Sequence, residues 1–219
     1  MGTIVNQTLT LPSAARLWPA DQPPRRFLGV KRIVDLAVAV ALLPLLGCLA
    51  GLIFLINLRF NPGPLVFRQQ RMGEGCRPFT IVKFRTMLPA APRERRFDEP
   101  VEVDRITPFG ALMRRTRVDE LPQILNIIAG EMSVVGPRPD LFDHAAVFAE
   151  MVPGYRERHR VRPGLTGLAQ IRVGYAEGLE ATRVKVATDL AYIRNMSAAL
   201  DVVILAGTVR VILSGRGAR

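Results

Sequence analysis

The feature of this sequence that most limits its fold is an uncharged apolar run over residues 36–56. As a helix rising about 1.5 Å per residue, this run is about 30 Å long, which matches the hydrocarbon core of a bilayer. Its position and the lack of a cleavage motif argue against a secretory signal. A buried core helix is the alternative, but the rest of the chain offers little to cover such a segment on every side. The run therefore predicts a membrane helix.

Basic residues stand on both sides of this run. A spanning helix normally carries its basic excess on the cytoplasmic side only. Pro44, near the middle, removes a backbone donor and bends a helix. Together these features favour a helix–break–helix that enters the membrane and returns to the same face, while simple spanning stays open because transmembrane helices tolerate proline. The flanking basic residues are Arg25, Arg26, Lys31 and Arg32 before the run, and Arg59, Arg68 and Arg71 after it.

Charge and composition narrow the class of protein further. The chain has 219 residues, 49% of them hydrophobic, a mean hydropathy of +0.19 and a net charge of +11. So much apolar material excludes a disordered chain, and apolar excess beside many cations argues against a purely soluble enzyme. Two cysteines and two histidines exclude a disulfide framework and leave zinc chemistry poorly supplied. We expect a reduced, cytoplasm-facing protein.

The remaining pattern predicts an α+β fold that is mostly helical, with a small β-hairpin. Residues 65–70 and 79–84 are rich in β-forming residues and flank a turn at Gly73 and Gly75. Thr107 followed by Pro108 signals a helix start.

Further predictions concern helices, loops and a second apolar run. The helix that begins at Thr107 should end near Arg115, and after a break near Arg117 another helix should begin at Asp119. Residues 180–195 are also predicted to be helical. Residues 89–104 are expected to form a mobile loop, residues 134–140 a loop, and residues 162–167 a turn-rich segment. The apolar run 202–213, which contains Arg210, is either an interfacial helix or core.

One group of residues has the chemistry of a phosphate site. Asp119 and Glu120 are adjacent carboxylates at a helix start, where an aspartate taken alone is most simply a cap. Arginine forks match phosphate oxygens, and candidates for this role are Lys83, Arg85, Arg114 and Arg138. Carboxylates inside such a site suggest a Mg²⁺ bridging to a diphosphate, or a nucleophile that forms an acyl phosphate. By contrast, we predict a solvated charged patch at Arg156, Arg158 and His159.

Five long motifs, in order along the chain, resemble those of the bacterial sugar transferases, the monotopic polyprenyl-phosphate phosphoglycosyl transferases. The resemblance covers about residues 31–213. Its motifs are KRIVDLAV, PLVFRQQRMGEGCRPFTIVKFRTM, TPFGALMRRTRVDELPQILNIIAGEMSVVGPRP, RVRPGLTGLAQ and DLAYIRNMSAALDVVIL.

The resemblance implies transfer of a sugar-1-phosphate from a UDP-sugar to undecaprenyl phosphate, with release of UMP, as the initiating step of exopolysaccharide or O-antigen assembly. It implies that Asp119 is the covalent nucleophile, that Glu120 helps to bind Mg²⁺, and that Lys83, Arg85 and Arg138 bind phosphate. The family's motif residues fall on Lys31, Arg32, Asp35, Pro44, Pro137 and Pro139.

The resemblance also implies a place in the cell and an organisation of the chain. We expect a monotopic protein on the cytoplasmic face of the bacterial inner membrane, in contact with membrane lipid; this location permits a homodimer. The expected segments are an N-terminal arm over residues 1–29, a re-entrant helix over 30–60 and the catalytic region over 61–219, with interfacial amphipathic helices. Two positions depart from the family pattern, Leu43 where serine is common and Leu168 where tryptophan is common.

Two other functions are consistent with a basic, membrane-attached chain. One is a membrane-tethered nucleic-acid binder, but aromatic residues are only 6% and no RNA-recognition, zinc-finger or basic-zipper pattern is present, so no nucleic-acid partner is expected. The other is a non-catalytic scaffold for polysaccharide assembly, against which the intact carboxylate pair argues. The sugar is expected to be a hexose such as glucose or galactose.

Overall fold

The computed structural model describes residues 25–88, 102–174 and 178–214, and this part of the chain is mostly helical with two small β-sheets, as the sequence predicts. The helices are α1 (Arg25–Ala41), α2 (Leu43–Phe60), α3 (Pro108–Thr116), α4 (Ile124–Ala129), α5 (Phe142–Met151), α6 (Leu168–Arg172), α7 (Gly178–Arg194) and α8 (Ala198–Leu213). The strands are β1 (Val66–Met72), β2 (Pro78–Phe84), β3 (Ser133–Val135) and β4 (Gly164–Thr166).

The apolar run forms two helices that meet at Leu42. Pro44 lies in the first turn of α2, where its missing N–H has no helical partner to lose. The expected interruption near this proline is therefore present. Among the described residues, α2 is long and apolar enough to cross a membrane by length and composition. Helix α1 begins at Arg25, so residues 25–29, which we assigned to an arm, are helical; residues 1–24 lie outside the described part.

The predicted hairpin is confirmed. Strand β1 pairs with β2 in antiparallel register, with Val66 opposite Phe84 and Met72 opposite Pro78. Ile81 and Phe84 of β2 point into the protein and are about 2% exposed. Burial of this face fixes the register, because a shift by one residue would turn these side chains to solvent.

The predicted start of α3 and the predicted break after it are also confirmed. Thr107 caps α3 by accepting a hydrogen bond from Gly110 N at 2.9 Å. Arg117 ends the helix in the left-handed conformation, with φ of 60°. The next element differs from expectation, since Val118–Gln123 is a 3-10 helix and α4 begins only at Ile124. Pro122 lies inside this segment and cannot donate the backbone hydrogen bond that an α-helix requires.

A two-stranded parallel sheet is present where the sequence predicted loop and turn. Strands β3 and β4 pair through Ser133 with Gly164 and Val135 with Thr166. A Cβ atom on Gly164 would lie 2.1 Å from Gly136 N, so the two backbones approach closely only because both residues are glycines. Three-residue strands carry no alternation long enough to recognise in a sequence.

The last two helices differ in what surrounds them. Helix α7 matches the helix predicted over residues 180–195. In α8, Ile204 is buried, whereas Val202 and Val203 are more than 60% exposed and Leu213 is 81% exposed. Of the two interpretations of this run, core is therefore wrong, and α8 presents an apolar surface.

A hydrophobic cluster joins the apolar helices to the rest of the molecule. Ala39 of α1 packs with Ile81 of β2, Ile124 and Ile127 of α4, and Met132. A second cluster joins Ile53 of α2 to Phe84 and Met113. The elements on either side of the carboxylate pair are thus packed against α1 and α2.

Candidate active site

The end of β2 and the loop after β3 each bring a cation to the carboxylate of Glu120. Lys83, at the end of β2, places its Nζ 2.9 Å from Glu120 Oε1. Arg138, in the loop after β3, donates from Nη1 to Glu120 Oε2 at 3.1 Å and from Nη2 to Oε1. This two-point contact is the strong form of an arginine–carboxylate pair. Burial alone would raise the pKa of Glu120, but the charges of Arg138 and Lys83 outweigh burial and hold that pKa well below its ordinary value.

The neighbouring Asp119 lies in a different environment. It is 7% exposed, and its Oδ1 atom is buried without a hydrogen-bond partner among the described residues. Burial and then the charge of Glu120 raise the pKa of Asp119 to about 6, against the lowering effect of Lys83, Arg138 and Arg114. Two adjacent carboxyl groups therefore have pKa values moved in opposite directions, which is typical of carboxylates with different roles.

Two further arginines complete the basic surroundings. Arg117 Nη1 lies 3.9 Å from Glu120 Oε1, within the turn that separates α3 from the carboxylate pair. Arg114, in the last turn of α3, donates from Nε to Thr86 Oγ1 at 2.9 Å. Sequence reasoning named Arg114 as a site residue and left Arg117 out. The left-handed turn, which makes Arg117 face Glu120, is what the sequence pattern did not reveal.

Arg85 requires a correction. We predicted that it binds phosphate, but it is buried, 7% exposed, and its guanidinium donates hydrogen bonds to residues that follow α2. Nε donates to Pro64 O at 2.7 Å, Nη1 to Asn61 Oδ1 at 2.8 Å and Nη2 to Asn61 O at 2.5 Å. Strand alternation alone would place Lys83 and Arg85 on the same face, but β2 ends at Phe84, so Arg85 lies outside the strand and its side chain meets different surroundings. Arg85 holds the end of α2 against the β-hairpin.

The motif residues near the start of α1 anchor this helix. Lys31 pairs with Asp201 of α8 at 2.6 Å, and Arg32 donates to Ile127 O at the end of α4. Asp35, which is 3% exposed, accepts from Val134 N of β3 at 3.0 Å. Lys31, Arg32 and Asp35 thus contact α8, α4 and β3, away from the carboxylate pair.

The two prolines beside Arg138 shape the loop that carries it. Pro137 O accepts from Gly164 N at 2.9 Å, which ties the loop to β4. Pro139 O accepts from Arg71 Nη1 at 3.4 Å, at the turn end of β1. The backbone of the loop is therefore fixed on either side of Arg138.

Sequence reasoning missed a second group of charges behind the Arg138 loop, in which Arg158 and Asp189 are buried and Asp140 and Lys185 partly buried. Arg158 and His159, which we interpreted as solvated, are 1% and 4% exposed, so that interpretation is wrong for both; it holds for Arg156, whose side chain is 61% exposed. Burial, with the charge of Arg158, lowers the pKa of His159 to about 3, so this histidine is neutral. A usable signal was present, because Asp189 falls on the apolar face of α7 with Val186 and Leu190.

The carboxylate pair meets the requirements of Mg²⁺ only together with a substrate. No group of three or more His, Cys, Asp and Glu side chains able to hold a metal occurs in residues 25–88, 102–174 and 178–214. Mg²⁺, however, often uses one or two carboxylates and takes its other ligands from phosphates and water. The unpartnered Asp119 Oδ1 beside the Glu120 carboxylate is a donor set of that kind. The residues present therefore fit a magnesium ion that binds with a diphosphate.

The sequence has relatives among known proteins. Residues 26–215 match the sequence model of the bacterial sugar transferases. A UDP-N-acetylgalactosamine-undecaprenyl-phosphate N-acetylgalactosaminephosphotransferase of Aeromonas hydrophila is 42% identical over 87% of this chain and 45% of its own length. The exopolysaccharide production protein PSS of Rhizobium leguminosarum bv. phaseoli is 42% identical over 83% of this chain and 94% of its own. A UDP-glucose:undecaprenyl-phosphate glucose-1-phosphate transferase of Caulobacter vibrioides is 40% identical over 84% and 70%.

These relatives differ in length as well as in the sugar that they are named for. The chain spans less than half of the Aeromonas protein and nearly all of the Rhizobium protein. The shared part includes both apolar helices, the carboxylate pair and the Arg138 loop, since the match to the family runs from residue 26 to residue 215.

Proposed function

Because this chain belongs to the bacterial sugar transferase family, we propose that it transfers a sugar-1-phosphate from a UDP-sugar to undecaprenyl phosphate and releases UMP. The relatives named for this reaction, with glucose or N-acetylgalactosamine as the sugar, support the two substrate classes. The observation that carries the proposal is the contrast between the two carboxylates. Glu120 is held by cations, while Asp119 has an oxygen without a partner in the described part of the chain.

In the proposed first step, a carboxylate oxygen of Asp119 attacks the β-phosphorus of the UDP-sugar. The new bond joins the aspartyl oxygen to this phosphorus, and the bond to the oxygen that bridges the two phosphates breaks. UMP leaves with the bridging oxygen, and the sugar phosphate remains on Asp119 as an acyl phosphate. With a pKa of about 6, Asp119 is mostly ionised at neutral pH and is still basic enough to be a good nucleophile.

In the second step, a phosphate oxygen of undecaprenyl phosphate attacks the same phosphorus. The aspartyl–phosphorus bond breaks, which restores the Asp119 carboxylate and yields undecaprenyl-diphospho-sugar. Lys83, Arg114 and Arg138 surround the carboxylate pair with positive charge, so the negative charge that develops on the phosphoryl oxygens meets fixed partners. The same cations favour the binding of two anionic substrates.

We propose that Glu120, with Asp119 beside it, holds Mg²⁺ together with the donor diphosphate. When bound, the ion supplies positive charge to the diphosphate oxygens. Arg138 and Lys83 keep Glu120 ionised, which is the form that can bind a cation. Replacing Glu120 by Gln should raise the Mg²⁺ concentration needed for half-maximal UMP release.

We also propose that the apolar helices enter the cytoplasmic face of the bacterial inner membrane without crossing it. In the middle of α1, just before the apolar run, Arg32 and Asp35 are hydrogen-bonded to Ile127 O and Val134 N of the part of the chain after α2, here called the body. Beyond the end of α2, Asn61 is hydrogen-bonded to Arg85 of the same body. Because the same part of the protein holds both ends of the apolar run, this arrangement supports re-entry into the membrane and not a spanning helix. The exposed apolar surface of α8 supports an interfacial position for that helix.

The test is UMP release by the purified protein in detergent or nanodiscs, with undecaprenyl phosphate, Mg²⁺ and a panel of UDP-sugars. We expect release with at least one donor, and the panel identifies the sugar. Asp119→Asn should abolish release, and the wild type incubated with the donor alone should carry a sugar phosphate on Asp119, detected by intact mass and peptide mapping.

The matched control is Asp143→Asn, which changes an exposed aspartate in the first turn of α5 and should leave UMP release unchanged. Wild-type release by Asp119→Asn would refute the assignment of the nucleophile. Absence of release with every donor, combined with salt-sensitive DNA binding, would refute the proposed function as a whole.

A further inference from the structure

The loop that carries Arg138 is held from behind by a buried group of charges. Arg158, which is 1% exposed, donates from Nη2 to the main-chain carbonyl of Arg138 at 2.7 Å. The same guanidinium donates from Nε to Asp189 Oδ2 at 2.9 Å and from Nη1 to Asp140 Oδ2 at 2.5 Å. One side chain therefore contacts three acceptors, one of which is the backbone of a proposed phosphate-binding residue.

Asp140 fixes the far end of this loop. Its carboxylate accepts from Tyr155 OH at 2.8 Å, from Lys185 Nζ and from Arg158. Its main-chain oxygen accepts from Met72 N at 3.1 Å, at the end of β1. The loop is thus tied to β1, to α7 through Lys185 and to the 3-10 helix Arg156–Arg160.

The charges of this group balance. Arg158 and Lys185 supply two positive charges and Asp140 and Asp189 two negative charges, and burial would oppose each charge if it stood alone. Because apolar residues of similar volume can replace a buried ion pair without loss of stability, such a group is weak evidence for a role in stability. What an apolar core could not supply is a donor aimed at Arg138 O.

We propose that Arg158 is a positioning residue for the proposed sugar-phosphate transfer, acting through the backbone of Arg138 to hold that guanidinium on Glu120 and on the donor diphosphate. The inference rests on the proposed function. The side chain of Arg138 reaches Glu120 from a backbone whose carbonyl is bonded to Arg158, so a shift of this backbone moves the guanidinium with it. A displacement of about 1 Å at such a group costs about 100-fold in rate.

Lysine cannot replace Arg158 in this role. A guanidinium is a planar fork with five N–H donors, whereas an ammonium is a point charge that cannot reach three separated acceptors in one geometry. Arg158→Lys therefore keeps the charge and breaks the three-point contact that ties Arg138 O to Asp140 and Asp189. Arg156→Lys is the matched control, because Arg156 lies two residues away with its side chain 61% exposed, where it pairs with Glu150.

The experiment is a double-mutant cycle on UMP release with Arg158→Lys, Arg138→Met and the double variant. We expect Arg158→Lys to raise KM for the UDP-sugar and lower kcat/KM by about 10-fold or more, and to have little further effect when Arg138 is already methionine. A loss of folded protein would lower the apparent kcat and leave KM unchanged, and thermal unfolding measures that loss directly. Arg156→Lys should match the wild type.

Should Arg158→Lys fail to fold, Arg158→Met combined with Asp189→Leu removes one charge of each sign and takes its place in the cycle. Full additivity with Arg138→Met, or wild-type kinetics in a folded Arg158 variant, would overturn the positioning role and leave the proposed function intact. An inactive wild type with every donor would overturn both.

Discussion

At the residue scale, the carboxylate pair shows how two adjacent acidic side chains acquire different chemistry. Glu120 accepts hydrogen bonds from Lys83 and Arg138, and their charges overcome the effect of burial on its pKa. Asp119 is buried nearly as deeply, yet burial prevails there and its pKa rises to about 6. Adjacent residues of a helix point in different directions, so the two side chains meet different surroundings.

The raised pKa of Asp119 predicts a change in stability on substitution. Because its pKa in the folded protein lies above 3.8, stability falls as pH rises through about 6 and the buried carboxylate ionises. Asp119→Asn removes this charge, so we expect the free energy of unfolding at pH 7.5 to increase by about 2 kcal/mol. The gain should disappear below about pH 4, where the carboxyl group is neutral in both states.

Thermal unfolding in EDTA, followed from pH 4 to pH 8, measures this difference without any contribution from a bound metal. The exposed Asp143→Asn variant should show no gain at either pH. A loss of stability at pH 7.5 in Asp119→Asn would contradict the environment that the structure gives this carboxyl group. The expected gain would make the inactive variant the more stable protein, as is common where an active site is built at the expense of stability.

Lys83 gives a second prediction at this scale. Lys83→Met removes a cation 2.9 Å from Glu120 and should lower kcat/KM for UMP release by about 100-fold. Lys83 also lowers the pKa of Asp119, so the acid limb of the rate profile, expected near pH 6 in the wild type, should move to higher pH. In this variant, the carboxylate pair still faces three other cations, those of Arg114, Arg117 and Arg138.

The measurement for Lys83→Met is initial UMP release from pH 5 to pH 9. Arg115→Met is its control, since Arg115 is an exposed cation in the last turn of α3 and should keep both the rate and the acid limb. An acid limb that moves to lower pH in Lys83→Met would show that this cation does not act on the carboxylate pair.

At the scale of elements, short and irregular segments position the site more than the long helices do. Arg117 ends α3 with φ of 60°, and its carbonyl accepts from Glu120 N at 3.1 Å. This left-handed turn, costly for a residue with a side chain, directs the following 3-10 helix toward β2. The parallel pair β3–β4 then brings the Arg138 loop to the opposite side of Glu120.

The glycine contact in this parallel pair predicts a large effect of a single methyl group. In Gly164→Ala, the Cβ would lie 2.1 Å from Gly136 N and 2.5 Å from Thr166 O. Since these are backbone atoms, the strands must separate, and we expect a loss of about 2–4 kcal/mol in the free energy of unfolding, together with reduced UMP release. Denaturant or thermal unfolding measures the loss.

Gly29→Ala is the matched control for Gly164→Ala. A Cβ on Gly29 meets no atom within 4 Å, and the residue lies inside α1. The same substitution should there increase helix stability by up to about 1 kcal/mol. Equal effects of the two variants would show that the β3–β4 contact is not as close as described.

At the scale of the whole molecule, the apolar segment and the catalytic region form one packed unit. Cys48 and Cys76 are free, so single cysteines can be introduced after both are changed to serine. Gly29→Cys and Phe60→Cys probe exposed positions on the two sides of the run, and Asp143→Cys marks the body. Re-entry predicts that a membrane-impermeant maleimide modifies all three in inside-out vesicles and none in spheroplasts.

A spanning helix gives the opposite pattern for one of the first two positions. Modification of either Gly29→Cys or Phe60→Cys from the periplasmic side, with Asp143→Cys protected there, would refute re-entry. The prediction follows from the hydrogen bonds that hold Arg32, Asp35 and Asn61 on one body.

Features that depend on local pattern could be predicted from the amino-acid sequence. The interruption near Pro44, the hairpin, the capped start at Thr107 and the carboxylate pair were all readable, because proline, glycine, threonine caps and apolar periodicity act over a few residues. The motifs around Asp119, Lys83 and Arg138 likewise indicated the family before any coordinates were considered.

Which charged side chains contact one another depends on how the folded elements pack. Lys83 and Arg85 are two residues apart, yet one contacts Glu120 and the other the chain after α2. Arg156 and Arg158 are equally close, and one is exposed while the other is buried behind the Arg138 loop. A charged side chain carries no local signal of its partner, because the partner lies in another element and is brought near by the packing of apolar residues far from either.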